Sequence, residues 1–252
     1  MKFDKYIPCQ FLQPYIRYFV CTENDAENVY TVIPDTSVVI GFQYNGSLAY
    51  YEKNTEMPLS KFGITGLQDG FKMFKNSANV GSVLIYFSPM GAYQFFNLPV
   101  HELFTQSVSL EYLFKHADLN AMENKLGEAV TDAERIAIVE QFLISHFKAK
   151  TTDLLVQAAL VRINQQNGML RITDLAKELY TSQSPLEKKF RKIVGATPKK
   201  YASIVRMKYL VNGLKSDPTF KQLEYLDGYF DQSHFIKDFK KFTNQTPHQF
   251  FK

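Results

Sequence analysis

The first part of the chain alternates short apolar runs with turn residues. Residues 30–87 are rich in Val, Ile, Tyr and Phe and are interrupted by Pro, Gly and Asp, a pattern typical of short strands. Asn45-Gly46, between the apolar runs 38–42 and 48–51, predicts a hairpin. We therefore expect a small β-barrel or sandwich here.

After Pro89 the apolar residues recur at helical spacing through residues 110–143, so helices are expected to follow the strands. A short polar stretch at residues 148–153 predicts the domain boundary. Residues 1–150 are thus predicted to form a cupin-like β-barrel domain with trailing helices, and residues 151–252 a second domain.

The second domain reads as helical throughout, with Gly, Asn and Pro at the expected ends. The overall fold class predicted is therefore α+β. The expected helices cover residues 154–167, 173–179, 183–194, 198–214, about 220–227 and 232–243.

Charge is distributed unequally between the two parts. Residues 1–150 hold 12 Lys and Arg against 16 Asp and Glu, a net charge of −4, whereas residues 151–252 hold 17 against 9, a net charge of +8. A basic block within a folded pattern favours a polyanionic partner, because each neutralised phosphate releases condensed counterions.

The cysteines and the apolar runs of the chain bear on its compartment and on membrane association. Cys9 and Cys21 have neither the number nor the spacing of a disulfide framework or a zinc site, so we expect reduced thiols and a cytoplasmic protein. No signal peptide is recognisable, and the apolar runs at 38–42 and 83–87 are too short to cross a bilayer. No membrane partner is expected.

The most informative feature is an internal repeat. The string LEKKFRKIVGATP at residues 186–198 recurs 49 residues later as FIKDFKKFTNQTP at residues 235–247. Each copy has a polar N-capping residue, Ser182 or Asp231, then an apolar pair, basic residues, a Gly or Asn suited to left-handed backbone, and Thr-Pro. The apolar pairs are predicted to face the core, and the cationic face between them is predicted to be exposed.

A short helix precedes each copy, so each unit reads as helix, tight turn and basic helix. This arrangement presents a helix to the DNA major groove, which is about 12 Å wide. The linking helix at 198–214 would be roughly 25 Å long at about 1.5 Å per residue. With its flanking turns it could hold two recognition helices about one DNA turn, ~34 Å, apart.

The string GYFDQSHFIKDFKKFTNQTP at residues 228–247 is similar to the signature G-F-x-D-x-S-x-F-x-R-x-F-K-x-x-x-G-x-(S/T)-P. Residues 151–252 therefore resemble the double helix-turn-helix DNA-binding domain of the AraC/XylS family of bacterial regulators. Residues 1–150 resemble a sensor-type domain of some regulators of this family, in FSPMG at 87–91 and LPVHEL at 98–103.

The resemblance implies double-stranded DNA as the partner and assigns roles to individual side chains. It places base-reading residues at Ser184, Glu187, Lys188, Ser233, His234 and Lys237. It places phosphate contacts at Arg191, Lys192 and Lys241. The predicted core of the two units comprises Leu175, Ala176, Leu186, Phe190, Phe235 and Phe239.

Three positions depart from the family pattern. Pro185 lies in the first turn of a recognition helix, Glu224 stands where a small Ala is usual, and Asn244 replaces a Gly. These differences bear on the fine assignment of base contacts, because they affect the turn and the presentation of side chains.

A cupin-type ligand-binding protein or enzyme, with the helices as an interaction module, is the alternative function. The histidines of the first domain, His101, His116 and His146, are not paired at ligand spacing, so no metal, cofactor or catalytic residue is predicted. A small effector remains open, as do RNA polymerase as a partner and a homodimer. Aromatic residues that could line an effector cavity are Tyr30, Phe42, Tyr44, Tyr50, Tyr51, Phe62, Phe71 and Phe74.

Overall fold

The computed structural model describes residues 2–53, 55–216 and 232–250. A β-rich N-terminal part precedes a helical C-terminal part, and the predicted α+β class is confirmed. The strands are β1 (Lys2–Tyr6), β2 (Ile16–Asn24), β3 (Asn28–Val32), β4 (Val39–Asn45), β5 (Leu48–Glu52), β6 (Thr55–Pro58), β7 (Phe62–Thr65), β8 (Lys72–Asn76), β9 (Val80–Phe87) and β10 (Ser107–Ser109).

Short 3₁₀ helices at Ala92–Gln94, Val100–Leu103 and Leu110–Tyr112 follow β9. The α-helices are α1 (His116–Glu128), α2 (Asp132–Ser145), α3 (Leu154–Gln165), α4 (Ile172–Glu178), α5 (Gln183–Val194), α6 (Pro198–Ser216), α7 (Gln232–Thr243) and α8 (Pro247–Phe250). The helix predicted at about 220–227 lies outside the described residues.

The strands form two antiparallel sheets. One has six strands in the order β1-β2-β9-β4-β7-β10, and the other has four in the order β3-β8-β5-β6. The predicted barrel is therefore not closed, since no ladder among the described strands joins the two sheets. The outer strands of the small sheet, β3 and β6, are exposed along their whole length, so the sheet ends in open edges.

The predicted hairpin at Asn45-Gly46 is wrong. β4 pairs with β7 and β9, whereas β5 pairs with β6 and β8. Gly46 has a φ of +67°, and a Cβ there would lie 2.7 Å from the Cα of Val80. Gly46 adopts the left-handed backbone that its turn requires, but tertiary packing directs the two strands into different sheets.

Three strands lie outside the region predicted as β. β1 and β2 precede Tyr30, and β10 lies between the second and third 3₁₀ helices. β2 contributes Phe19 and Cys21 to the core, both fully buried. Its Ile, Tyr, Phe and Val content is the signal that would have identified it.

One face of the large sheet packs against α1 and α2, and Phe42 meets Phe142 at a centroid distance of 5.6 Å. This core continues without interruption into α3, α4 and α5, where it includes Ile163, Leu175 and Phe190. A second, smaller cluster joins α6 to α7. Among the described residues, no helix has both the length and the apolar character needed to cross a bilayer.

Candidate nucleic-acid interface

The first helix-turn-helix unit consists of α4 and α5. Leu175 and Ala176 on α4 and Leu186 and Phe190 on α5 are all at most 2% exposed. In the turn, Tyr180 has a φ of +52°, and the amide of the next residue donates to the Ala176 carbonyl oxygen at 3.0 Å. The buried side chains fix α5 against α4, so the opposite face of α5 is directed to solvent.

That opposite face carries the predicted base-reading residues of the first unit. Ser184, Glu187 and Lys188 are all exposed. Arg191, predicted to contact phosphate, is exposed one turn further along, and neither Arg191 nor Lys188 forms an ion pair with a described carboxylate. Lys189 differs, because its Nζ lies 3.0 Å from Asp153 Oδ2.

The start of α5 departs in one detail from the predicted cap. Ser182 occupies the N-cap position, but its side chain accepts no capping hydrogen bond. Pro185 lies in the first turn, where its missing N–H has no intrahelical partner to lose. The first turn of α5 therefore forms despite the proline.

The C-terminal end of α5 is anchored on the N-terminal part of the chain. Ile193 and Val194 are buried, and Gly195 ends the helix with a φ of +98°. A Cβ on Gly195 would lie 2.9 Å from Val100 Cγ1, so the 3₁₀ helix Val100–Leu103 approaches the cap closely. The packed end holds α5 while its N-terminal turns remain exposed.

Helix α6 links the two units. Thr197 caps it, since Thr197 Oγ1 accepts from the Lys200 amide at 3.1 Å. Tyr201 is fully buried, with its ring 5.6 Å from that of Phe190. With 19 residues, α6 is about 28 Å long at 1.5 Å per residue, two residues longer than predicted.

The second unit presents α7 in a similar way. Ser233, His234 and Lys237 are exposed, and Phe235 and Phe239 are buried with ring centroids 5.6 Å apart. The Nε2 atom of His234 lies 3.9 Å from Asp238 Oδ2, one helical turn away. This carboxylate stands beside the imidazole on the exposed face.

Helix α7, like α5, is followed by a residue with a left-handed backbone conformation. Asn244 has a φ of +68°, consistent with Asn as a substitute for Gly at this position. Thr243 Oγ1 donates to the Phe239 carbonyl oxygen at 2.8 Å. Asp231, the expected cap, and Glu224, the expected departure in the turn, lie outside the described residues.

The predicted phosphate-contacting lysines have different surroundings. Lys192 Nζ lies 6.0 Å from the Tyr93 ring centroid. Lys241 Nζ lies 2.9 Å from Asp69 Oδ2, and the same oxygen lies 2.6 Å from Lys200 Nζ. Neither Lys200 nor Asp69 is recognisable as a site residue from sequence, because their proximity depends on a contact between distant segments.

These lysines also determine the protonation of Asp69. Burial on its own would raise the pKa of this carboxyl, but the hydrogen bonds from Lys200 and Lys241 outweigh burial and hold the pKa below its usual value. Asp69 is therefore ionised at neutral pH. Three charged groups from the two parts of the chain meet at this point.

Several aromatic residues proposed for an effector cavity have other roles. Phe42 and Phe62 are buried in the core at a centroid distance of 4.9 Å. The hydroxyl of Tyr44 donates to Glu23 at 2.8 Å, and Tyr30 stacks on Phe74. Within the part of the chain that the structure describes, no cluster of three His, Cys, Asp or Glu side chains could hold a metal ion.

Sequence comparisons match both parts of the chain. Residues 175–252 match a family described as a helix-turn-helix domain, and residues 4–109 match a domain of unknown function, DUF6597. The Msm operon regulatory protein of Streptococcus mutans is 32% identical over 120 residues, which cover 45% of this chain and 42% of that protein. The aligned region thus spans less than half of this relative.

Structural comparison gives weaker similarities. ToxT from Vibrio cholerae matches with a TM-score of 0.48 and 13% identity over 100% of this chain and 98% of ToxT. The AraC-like transcriptional activator CuxR matches with a TM-score of 0.31 and 12% identity over 77% of this chain and 76% of CuxR. At these TM-scores the likeness does not establish a shared fold, so classification depends on sequence.

The helix-turn-helix match includes both recognition helices and the signature string at residues 228–247. The exposed faces of α5 and α7 recur at the same positions of the internal repeat. Together these features show that residues 175–252 form a helix-turn-helix domain, and that the chain is similar to the Msm operon regulatory protein.

Proposed function

We propose that this protein is a sequence-specific DNA-binding regulator of transcription in which α5 and α7 enter adjacent major grooves. The observation that carries the proposal is the pair of equivalent helices, each with an apolar face in a core and a cationic face exposed. Their faces fit a groove about 12 Å wide, and the net charge of +8 on residues 151–252 suits a polyanion.

The exposed side chains divide into two roles. Ser184, Glu187, Lys188, Ser233, His234 and Lys237 would read base edges, since they lie on the first turns of α5 and α7. Arg191, Lys192 and Lys241 would contact phosphates further along the helices. Base contacts give sequence preference, whereas phosphate contacts strengthen binding to every duplex.

The test is binding of the full chain to DNA from upstream of its own gene, followed by fluorescence anisotropy at several salt concentrations. Affinity should fall linearly with salt on a logarithmic scale. Lys237→Ala should reduce preference for the specific site over random DNA by about 1–3 kcal/mol. Arg191→Ala should weaken binding to both duplexes equally.

Lys177→Ala provides the matched control, because Lys177 is an exposed cation on α4, outside both recognition helices. This variant should bind like the wild type. If the wild type shifted no duplex at low salt, the proposal would be wrong. The cupin-type ligand-binding protein or enzyme would then become the leading function, and elemental analysis for metal would be the next measurement.

Control by a small effector is a second part of this proposal. A cleft of about 620 Å³ lies between residues 95–98, here called the Phe96 segment, and the end of α2. Its lining also includes Phe114, Tyr112, His146 and Lys148. Its walls are aromatic, and its rim carries Lys115 and Lys148 beside the paired Asp118 and His146. The two lysines suit a small apolar molecule with a negative group. The Phe96 segment lies between the two 3₁₀ helices that contact α5, so a ligand here could influence the first unit.

Thermal shift measurements against small aromatic and aliphatic carboxylates would test the cleft. A binding compound should raise the Tm of the wild type, and Lys148→Ala should reduce that rise. Lys125→Ala, an exposed lysine on α1 outside the cleft, is the control and should leave it unchanged. An equal response in both variants would contradict this location.

A regulator of this kind acts where bacterial DNA lies, so we infer a cytoplasmic location and RNA polymerase as a further partner. It requires no catalytic step. A homodimer is consistent with the proposal, although one chain already carries two recognition helices, α5 and α7. Footprinting on the upstream DNA tests this stoichiometry, because a dimer would protect about twice the length protected by one chain.

A further inference from the structure

The contact between Asp69 and the two lysines brings together groups from three segments. Asp69 lies in the loop between β7 and β8, Lys200 on the first turn of α6 and Lys241 on the last turn of α7. Both ammonium groups approach the same oxygen, Oδ2, at 2.6 and 2.9 Å. Two lysines converging on one anionic oxygen is an arrangement that also binds a phosphate oxygen.

The loop is held in place by more than these ion pairs. The Phe71 amide donates to the Lys241 carbonyl oxygen at 3.1 Å. At the start of the loop, the Gly66 amide donates to the Gln106 carbonyl oxygen at 3.0 Å, and Gln68 Nε2 donates to the Gly66 carbonyl oxygen at 2.9 Å. The loop therefore presents Asp69 to the end of α7 in a defined position.

Both lysines remain accessible in this contact. The side chains of Lys200 and Lys241 are 46% and 54% exposed, so a phosphate group could approach them from solvent. Ion pairs at such exposed positions are weak and exchange partners readily. A DNA backbone, with its high charge density, could therefore replace the carboxylate.

The internal repeat offers a comparison within the same chain. Lys192 is the counterpart of Lys241 in the first unit, and it has no ion pair with a described carboxylate. Its neighbours are the Tyr93 ring and Lys150, whose Nζ lies over the same ring at 4.1 Å. The acidic partner is thus a property of the second unit and not of the repeated sequence.

We propose that Lys200 and Lys241 form a single phosphate-binding site for the DNA backbone, and that Asp69 occupies this site in the DNA-free chain. The inference rests on the proposed DNA-binding function and adds Lys200 to its contacts. DNA must displace Asp69 before the second unit can engage fully. The N-terminal part thereby competes with the DNA backbone at the second unit, whereas Lys192 of the first unit has no such competitor among the described carboxylates.

The test is the substitution Asp69→Asn in the full chain, which removes the charge and keeps the shape of the side chain. Binding to the upstream duplex should tighten about threefold to tenfold, the range expected from two exposed ion pairs. The salt dependence should also steepen, by about 0.9 in the logarithmic slope for each lysine that now releases counterions.

Two controls separate this site from a general effect of charge. Glu102→Gln removes an exposed carboxylate beside α5 that has no ion pair with a described residue, and it should leave the affinity near that of the wild type. In a Lys200→Ala, Lys241→Ala background, Asp69→Asn should no longer tighten binding. The proposed site would be wrong if Asp69→Asn still tightened DNA binding in that background, or if Glu102→Gln tightened it equally.

The outcomes also distinguish this site from the proposed function. Wild-type binding that Asp69→Asn leaves unchanged or weakens would overturn the site while the DNA-binding function stands. Failure of the wild type and every variant to bind any duplex would overturn the function, and the site with it. Unchanged Tm values across the variants would show that differences in affinity do not arise from unfolding.

Discussion

Lys192 and Lys241 occupy equivalent positions in the two recognition helices, 49 residues apart in sequence, but they face opposite charges. Lys241 is paired with Asp69 at 2.9 Å, whereas Lys192 lies near Lys150. Burial is the main cause of the lowered pKa of Lys150, and repulsion by Lys192 is the second cause. The two units are therefore similar in sequence and different in electrostatic environment.

This difference predicts unequal effects of the two alanine substitutions. Lys192→Ala should weaken DNA binding more than Lys241→Ala, because Lys241 must first leave Asp69 and contributes less net free energy. In an Asp69→Asn background the two substitutions should have similar effects. Anisotropy titrations on one duplex measure both comparisons, and a larger loss for Lys241→Ala in the wild-type background would contradict the prediction.

The two left-handed residues at the ends of the recognition helices predict opposite outcomes on substitution. Gly195→Ala should lower the free energy of unfolding by about 1–3 kcal/mol, because its φ is +98° and a Cβ would lie 2.9 Å from Val100 Cγ1. Asn244→Gly, at a φ of +68°, should be neutral or stabilising by a few tenths of a kcal/mol.

Urea unfolding monitored by circular dichroism measures both changes. Because Gly195 lies between α5 and the N-terminal part, its substitution should also reduce DNA binding by the first unit. A stable Gly195→Ala variant with unchanged midpoint would show that Val100 and its neighbours move without cost.

The two cores predict different consequences for equivalent phenylalanines. Phe190 belongs to the large cluster that extends from the sheet to α5, and Phe239 belongs to the small cluster between α6 and α7. Each Phe→Ala change should cost about 3–5 kcal/mol locally. Phe190→Ala should destabilise the β-rich part as well, whereas Phe239→Ala should affect α6 and α7 alone.

Hydrogen exchange followed by mass spectrometry would show where each variant loses protection. Faster exchange in β9 for Phe190→Ala, with unchanged exchange there for Phe239→Ala, is the expected result. Equal loss of protection in β9 for both variants would indicate that the clusters unfold as one unit.

Acid should weaken the ion pair between Asp35 of the N-terminal part and Lys208 of α6. Asp35 Oδ1 lies 2.6 Å from Lys208 Nζ on α6 and 3.4 Å from Arg17 Nη1. Burial would raise the pKa of Asp35, but Lys208 and then Arg17 hold it below the usual value of 3.8. A carboxyl with a depressed pKa stabilises the fold above that value, and this contribution disappears as pH falls through the folded-state pKa.

Asp35→Asn should therefore lower the Tm at pH 7, and the difference from the wild type should shrink below about pH 4. Asp25→Asn is the control, since Asp25 is exposed and forms no ion pair with a described residue. A difference for Asp35→Asn that stays constant down to about pH 3 would contradict the role of its charge.

Local sequence signals predicted the C-terminal helices well. The bounds of α5 and α7 agree with the predicted 183–194 and 232–243, because apolar spacing, the left-handed Gly or Asn and Thr-Pro all act within one helical turn. The exposed face of each helix followed from the same spacing. These are short-range properties that a single sequence contains.

Long-range pairing was not predictable in the same way. The Asn45-Gly46 turn could not reveal that β4 and β5 belong to different sheets, since the pairing depends on β7, β8 and β9. The approach of Asp69 to Lys241 joins residues 172 positions apart. No periodicity or motif identifies such a partner, because only the packed chain brings the two segments together.

Helix α6 begins in the large core with Tyr201 and Ala202 and continues in the small core with Met207 and Val211. Inserting one residue between these cores would rotate the second unit by about 100° relative to the first and advance it by about 1.5 Å. On the proposed function, the distance between the two DNA segments that one chain contacts would therefore be set by the length of α6. Relatives that bind differently spaced sites would have to change this helix by whole turns, or rebuild one of its cores.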